Sequence, residues 1–180
     1  LAVQIHPDFA DAYHRRGCAR LKRVHAGQIS QESREIETAV EDFTQALRIL
    51  PIYHEASFNR GLAYAALGRY REAAQDLQNS LQTKDVELAR EAHAHLGQGI
   101  EEKFEGMQGQ AIRHYEKYSE LGGKDALIHD RLSKLKAGEV ESTRRIALEA
   151  EATALLVQAM KEAEAGDKAR ALVTLEKAIA

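Results

Sequence analysis

The sequence is poor in residues that staple, break or advertise a chain. Its one cysteine, Cys18, excludes an internal disulfide and suits a reducing compartment. Two prolines and no tryptophan suit a mostly helical chain. Charge of neither sign dominates: 25 basic residues face 28 acidic ones, and a net charge of −3 gives no electrostatic draw toward a nucleic-acid backbone. No apolar run approaches the ~20 residues that cross a bilayer. The longest stretches, LAYAAL (62–67) and TALLVQAM (153–160), have the length of buried helix faces. No secretory leader is visible, and the expected setting is cytoplasmic without membrane insertion.

What is present is the composition of a folded chain, 44% hydrophobic and 29% charged over 180 residues. AVQIHP (2–7) and ALRILP (46–51) share a pattern of Ala, aliphatic, polar, Ile and Pro. Aligned on their prolines, the following segments place Ala12, Tyr13, Arg16 and Gly17 against Ala56, Phe58 (one place later), Arg60 and Gly61. A fainter copy runs through EAHAHLGQGI (91–100) and QAIRHYEKYSEL (110–121), and another through 154–180.

These residues resemble the tetratricopeptide repeat, a helix–turn–helix unit of about 34 residues. The second copy carries the pattern most fully, with Gly61, Tyr64, LGRYREA (67–73), Leu77 and Ser80. The first has Tyr13, Gly17, Ala39, Phe43, Ala46 and Pro51, and the last Ala159, Ala171, Leu175 and Ala178. The third has Leu96, Gly97, Ala111 and Tyr115, but Tyr118 stands where the family keeps a small residue. Small residues let the two helices of a unit approach closely, and large apolar ones fill the space between units, so units must stack. The resemblance implies an all-α, right-handed solenoid of stacked antiparallel helix pairs. A TPR-like array is expected over 1–123, as a partial repeat and three repeats. An irregular helix, a long helix and a final partial unit are expected over 124–180. AVQIHP is then the tail of a preceding unit, so that the chain is an excerpt of a longer array or is capped by its end helices.

Two stretches depart from the repeat. Gly17 and Gly61 are 44 residues apart, well beyond the family's roughly 34-residue period. The excess falls in 22–37, expected as a loop insertion, with a partner contact as the sharper alternative and Ser30 or Ser33 as a helix cap. In 125–145, Ile128, Leu132 and Leu135 predict a short amphipathic helix ending near Gly138, followed by a long helix over 142–165 and a turn at Gly166 and Asp167.

Chemistry-bearing constellations are sparse. His14 and Cys18 share a helix face, but two ligands do not make a metal site. GQG (97–99) and GMQG (106–109) lack the Lys-Ser/Thr of a phosphate cradle. No catalytic residue, cofactor or metal is expected. The resemblance implies a groove lined by the first helix of each unit. Carried over, it takes in Asp11, His14, Arg15, Cys18 and Lys22, then Glu55, Phe58, Asn59 and Leu62, then Glu91, His95, Gln98 and Glu102. Arg15 and Asn59 stand out as directional hydrogen-bonding groups. A subfamily clamps the C-terminal carboxylate of heat-shock chaperones with Lys, Asn and Arg. Here only Asn59 fits that set, and His14, Cys18, Glu91 and His95 occupy the other places. The expected function is a protein–protein interaction scaffold or adaptor for a protein or peptide partner. The alternatives are a self-associating structural element and a regulatory or recruiting domain of a larger enzyme.

Overall fold

The computed structural model describes residues 7–27, 32–104 and 106–179. They form eight helices and no strand: α1 Pro7–His25, α2 Glu32–Ile49, α3 His54–Ala66, α4 Tyr70–Ser80, α5 Val86–Lys103, α6 Gln108–Glu120, α7 Ala126–Glu164 and α8 Lys168–Ile179. Pro7 opens α1, where its fixed φ and missing N–H cost nothing. Pro51 follows the end of α2, which it cannot continue. Asp85 caps α5 by accepting from the Glu87 and Leu88 amides. Between α3 and α4 the chain turns at Gly68, whose φ of 74° only a glycine adopts without strain. The Arg69 and Gly68 amides there satisfy the Tyr64 and Ala65 carbonyls.

The chain divides into two compact units, 1–132 and 133–180. The first is a solenoid of three stacked antiparallel hairpins, α1–α2, α3–α4 and α5–α6, with successive hairpins joined through α2 against α3 and α4 against α5. Each hairpin closes over a glycine. A Cβ added at Gly17 would lie 2.7 Å from the Phe43 ring, at Gly61 3.0 Å from Leu77, and at Gly97 2.5 Å from Tyr115. The small–large pairs expected from the repeat are therefore the points of closest helix approach. Between hairpins, Ile36, Ala39, Val40 and Phe43 pack with Ala63, and Phe58 and Leu77 pack with Ala92 and Leu96.

Two ion pairs recur inside the hairpins. Arg16 holds Asp42 with Nε at 3.0 Å and Nη2 at 2.5 Å, and Arg60 holds Asp76 with Nε at 2.6 Å and Nη2 at 2.9 Å. Both carboxylates are buried, so each needs its two-pronged partner to offset desolvation. Arg60 Nη1 also donates to Thr44 Oγ1 of the preceding hairpin at 3.1 Å.

Three expectations change. The stretch 22–37 is helical over 22–25 and 32–37: α1 and α2 run 19 and 18 residues, against 13 and 11 for α3 and α4. The added turns bury Ile36 and pack Leu21 and Val24 against it, while Arg20 and Arg23 reach Glu35 at 2.9 and 3.5 Å. Ser33 lies inside α2 and does not precede it, and Ser30 lies outside the described residues. Secondly, no helix ends near Gly138, because α7 is continuous over 39 residues. An added Cβ at Gly138 meets nothing, so no close approach marks that glycine. Thirdly, Tyr118 is buried at its nominally small position because it stacks over Gly123, and its hydroxyl accepts from the Asp125 amide at 2.9 Å.

The second unit holds most of α7 and all of α8. From Lys136 to Glu151 every residue of α7 is exposed. Beyond that the helix turns at Gly166 (φ 85°) into α8, with the Asp167 and Gly166 amides on the Glu162 and Ala163 carbonyls, the same cap as at Gly68. Thr174 Oγ1 donates to Glu162 Oε2 at 2.7 Å across this hairpin.

Candidate protein-interaction groove

The first helices of the three hairpins, α1, α3 and α5, meet in sequence. A cavity of about 420 Å³ lies among them, lined by Cys18, Lys22, Asn59, Leu62 and His95 with Ile36 beneath. A second, of about 280 Å³, takes in Leu62, His95, Gln98 and Glu102 with Tyr70 and Phe104. Leu62 and His95 belong to both, so the cavities adjoin and seven of the expected groove residues fall on one continuous depression. Asp11, His14, Arg15, Glu55 and Glu91 do not line it. Phe58 is a correction: it is 6% exposed and belongs to the core between the second and third hairpins, with its ring edge-on to His95.

Beside the first cavity lies a polar network that includes a residue the sequence does not single out, Tyr53, in the turn after Pro51. Tyr53 Oη lies 3.2 Å from Asp11 Oδ1 and 3.0 Å from His14 Nδ1, and Asn59 Nδ2 lies 2.9 Å from His14 Nε2. One proton arrangement satisfies every partner. Tyr53 donates to Asp11, neutral His14 donates from Nδ1 to Tyr53, and the bare Nε2 accepts from Asn59. Burial lowers the His14 pKa in keeping with a neutral ring. Burial and then the Asp11 charge push Tyr53 up to about 12. Asp11 itself is held below the usual carboxylate range, first by its hydrogen bond from Arg15 at 2.6 Å.

These contacts revise what the groove offers. The Arg15 guanidinium is taken up by Asp11 on an exposed surface. Asn59 spends its amide hydrogens on His14 and the Glu55 carbonyl (2.9 Å), leaving its side-chain oxygen for a ligand. Cys18 Sγ lies 3.5 Å from His14 Nε2, but burial raises the thiol pKa and lowers that of the imidazole. The pair is therefore neutral, not a thiolate–imidazolium nucleophile. Among the described residues no three His, Cys, Asp or Glu side chains gather as metal ligands, and no helix is long and apolar enough to cross a membrane.

No family model matches the chain. A curated relative, an uncharacterized protein of Methanocaldococcus jannaschii, is 46% identical over 39 residues, 22% of this chain and 45% of that protein. The match thus spans less than half the length of that relative. Among solved structures, the first TPR of Spaghetti (RPAP3), bound to the HSP90 peptide SRMEEVD, superposes with a TM-score of 0.58 at 16% identity, covering 74% of this chain and 97% of that one. The Sgt2 TPR domain from Aspergillus fumigatus superposes with a TM-score of 0.57 at 25% identity, covering 75% and 82%. The fold is that of the tetratricopeptide repeat.

In tetratricopeptide-repeat terms, the depression runs along the first helices of units one to three. Unit three departs most from its neighbours. Where they carry an Arg–Asp pair, it sets His93 Nδ1 against His114 Nδ1 at 2.9 Å. Its outer side is tied instead by Arg131 of α7, which reaches Glu101 and Glu102 at 3.1 and 3.0 Å, with Tyr115 Oη donating to Glu101 at 2.7 Å. Glu102 is thus partly committed within the protein, while Lys22, His95 and Gln98 stand exposed along the depression.

Proposed function

We propose that the chain acts by protein–protein interaction, as a scaffold or adaptor that holds an extended peptide segment along α1, α3 and α5. The observation that carries this reading is the pair of adjoining cavities sharing Leu62 and His95. A furrow crossing three helices suits an extended chain better than a compact small molecule. The peptide-bound Spaghetti domain, of the same fold, supports it. The groove chemistry suggests the ligand: Leu62 and Cys18 accept an apolar side chain, Lys22 attracts a carboxylate, and the Asn59 oxygen accepts a backbone N–H. A reducing, cytoplasmic setting suits the half-buried thiol of Cys18. The peptide SRMEEVD is not expected to bind, because His14, Cys18 and Glu91 stand where the chaperone-tail clamp has its other groups.

The test compares proteins captured by the wild-type chain with those captured by a Lys22→Ala, Asn59→Ala, His95→Ala variant, helical content being checked by circular dichroism. Specific partners lost by a fully helical variant support the groove. The same partners retained in full would place binding elsewhere.

A further inference from the structure

The hairpin of the second unit carries an apolar face whose counterpart in the first unit is covered. Residues 98 apart correspond one to one: Gly61 and Ala159, Gly68 and Gly166, Ala73 and Ala171, Leu77 and Leu175. On the same spacing Phe58, Leu62 and Ala74 become Leu156, Met160 and Leu172. In the second repeat this face is closed by α5, with Ala92 and Leu96 seated against Phe58 and Leu77. On the last hairpin Leu156, Met160, Leu172 and Leu175 remain 45, 65, 62 and 38% exposed around a groove of about 550 Å³. Four large apolar side chains on one hairpin face exceed the scattered exposure normal for a surface.

We propose that this face is the self-association surface of the protein, closed by the same hairpin of a second copy about a twofold axis. The axis passes Leu172, with α8 antiparallel to its mate. Charge placement selects this occupant and this direction. Lys168 and Glu176 lie four residues before and after Leu172, on the same stripe of α8 and both exposed. An antiparallel crossing at Leu172 sets each Lys168 against the Glu176 of the other copy, twice per dimer. A parallel crossing sets like against like. Large Leu172 and Met160 stand beside small Ala159 and Ala171 on this face, and a twofold interface repeats every contact in both directions. The mate's Leu172 takes the role that Leu96 plays against the second repeat. This surface lies outside the peptide groove, so the two can fail independently.

Sedimentation velocity of the full chain over a concentration series is the test. The wild type is expected to pass from monomer to dimer. Leu172→Glu should weaken the dimer by about tenfold or more, as expected for a central apolar contact. Lys168→Glu alone should weaken it a few-fold, and Lys168→Glu with Glu176→Lys should restore it. Leu172→Gln, at so exposed a position, serves should the charged variant lose helicity. A wild type that stays monomeric overturns the proposal and assigns the face to a helix of another protein or of a following repeat. A dimer untouched by either Leu172 variant, or a charge swap that fails to restore it, overturns it equally.

Discussion

The two units use one local pattern with opposite results. In the first, three hairpins bury Phe43, Leu77 and Tyr115 to between 0 and 4% exposure. In the second, Leu175 occupies the place of Leu77 and is 38% exposed. The turns are alike, with a positive-φ glycine and the same two backbone bonds at Gly68 and Gly166. What differs is the neighbour. A repeat sequence specifies a hairpin, whereas stacking supplies most of the burial and hence the stability. The first unit should therefore be sensitive to changes that the second tolerates.

The largest contrast should come from truncating matched apolar residues. Phe43→Ala is expected to cost about 3–5 kcal/mol, since Phe43 is fully buried between two hairpins. Leu175→Ala should cost about 1 kcal/mol or less, because part of that side chain already meets water. Urea denaturation followed by circular dichroism reads both, and equal losses would erase the distinction.

A smaller contrast, of opposite signs, is expected between glycines. Gly97→Ala puts a methyl 2.5 Å from the Tyr115 ring and should destabilise by about 1–3 kcal/mol. Gly138→Ala meets nothing in the middle of α7 and should raise helix stability by up to about 1 kcal/mol. The same denaturation series compares them.

The smallest effect is in acid, and it sharpens the comparison because all eight histidines precede residue 130. Burial, then the neighbouring His114, holds His93 down to about 4, against 6.5 for a free imidazole. Lys117 pushes it the same way and Glu120 opposes. The unfolded chain therefore takes up the proton first. This contribution is complete above about pH 6.5 and is lost as pH falls from there to about 4. His93→Gln should flatten the decline in urea midpoint between pH 7 and 4.5, and an unchanged slope would remove His93 as its source.

The hairpins were legible because their packing is written at fixed spacings: Gly17 with Phe43, Gly61 with Leu77, Gly97 with Tyr115. The Arg–Asp pairs left a signal too, an Arg just before each of the first two glycines and an Asp just before Phe43 and Leu77. It is a charge pattern, easily passed over as solvated surface. Tyr53 had no periodic signature, since its role depends on the turn after Pro51 bringing it to α1. The continuity of α7 was hidden by a rule that expects glycine to stop a helix. That rule rests on a left-handed cap, which Gly138 does not adopt. Phe58 stands 44 residues after His14, in the same register as the other groove positions, and it is buried because Ala92 and Leu96 of the next hairpin close over it.

Arg60 binds Asp76 inside its own hairpin and Thr44 in the one before. One guanidinium thus belongs to the folding of a repeat and to its docking. Opening the second hairpin releases a contact on the first, which raises the penalty for a boundary between folded and unfolded repeats. The first two hairpins should accordingly melt as a block, and a ligand gripping either one should slow hydrogen exchange in both.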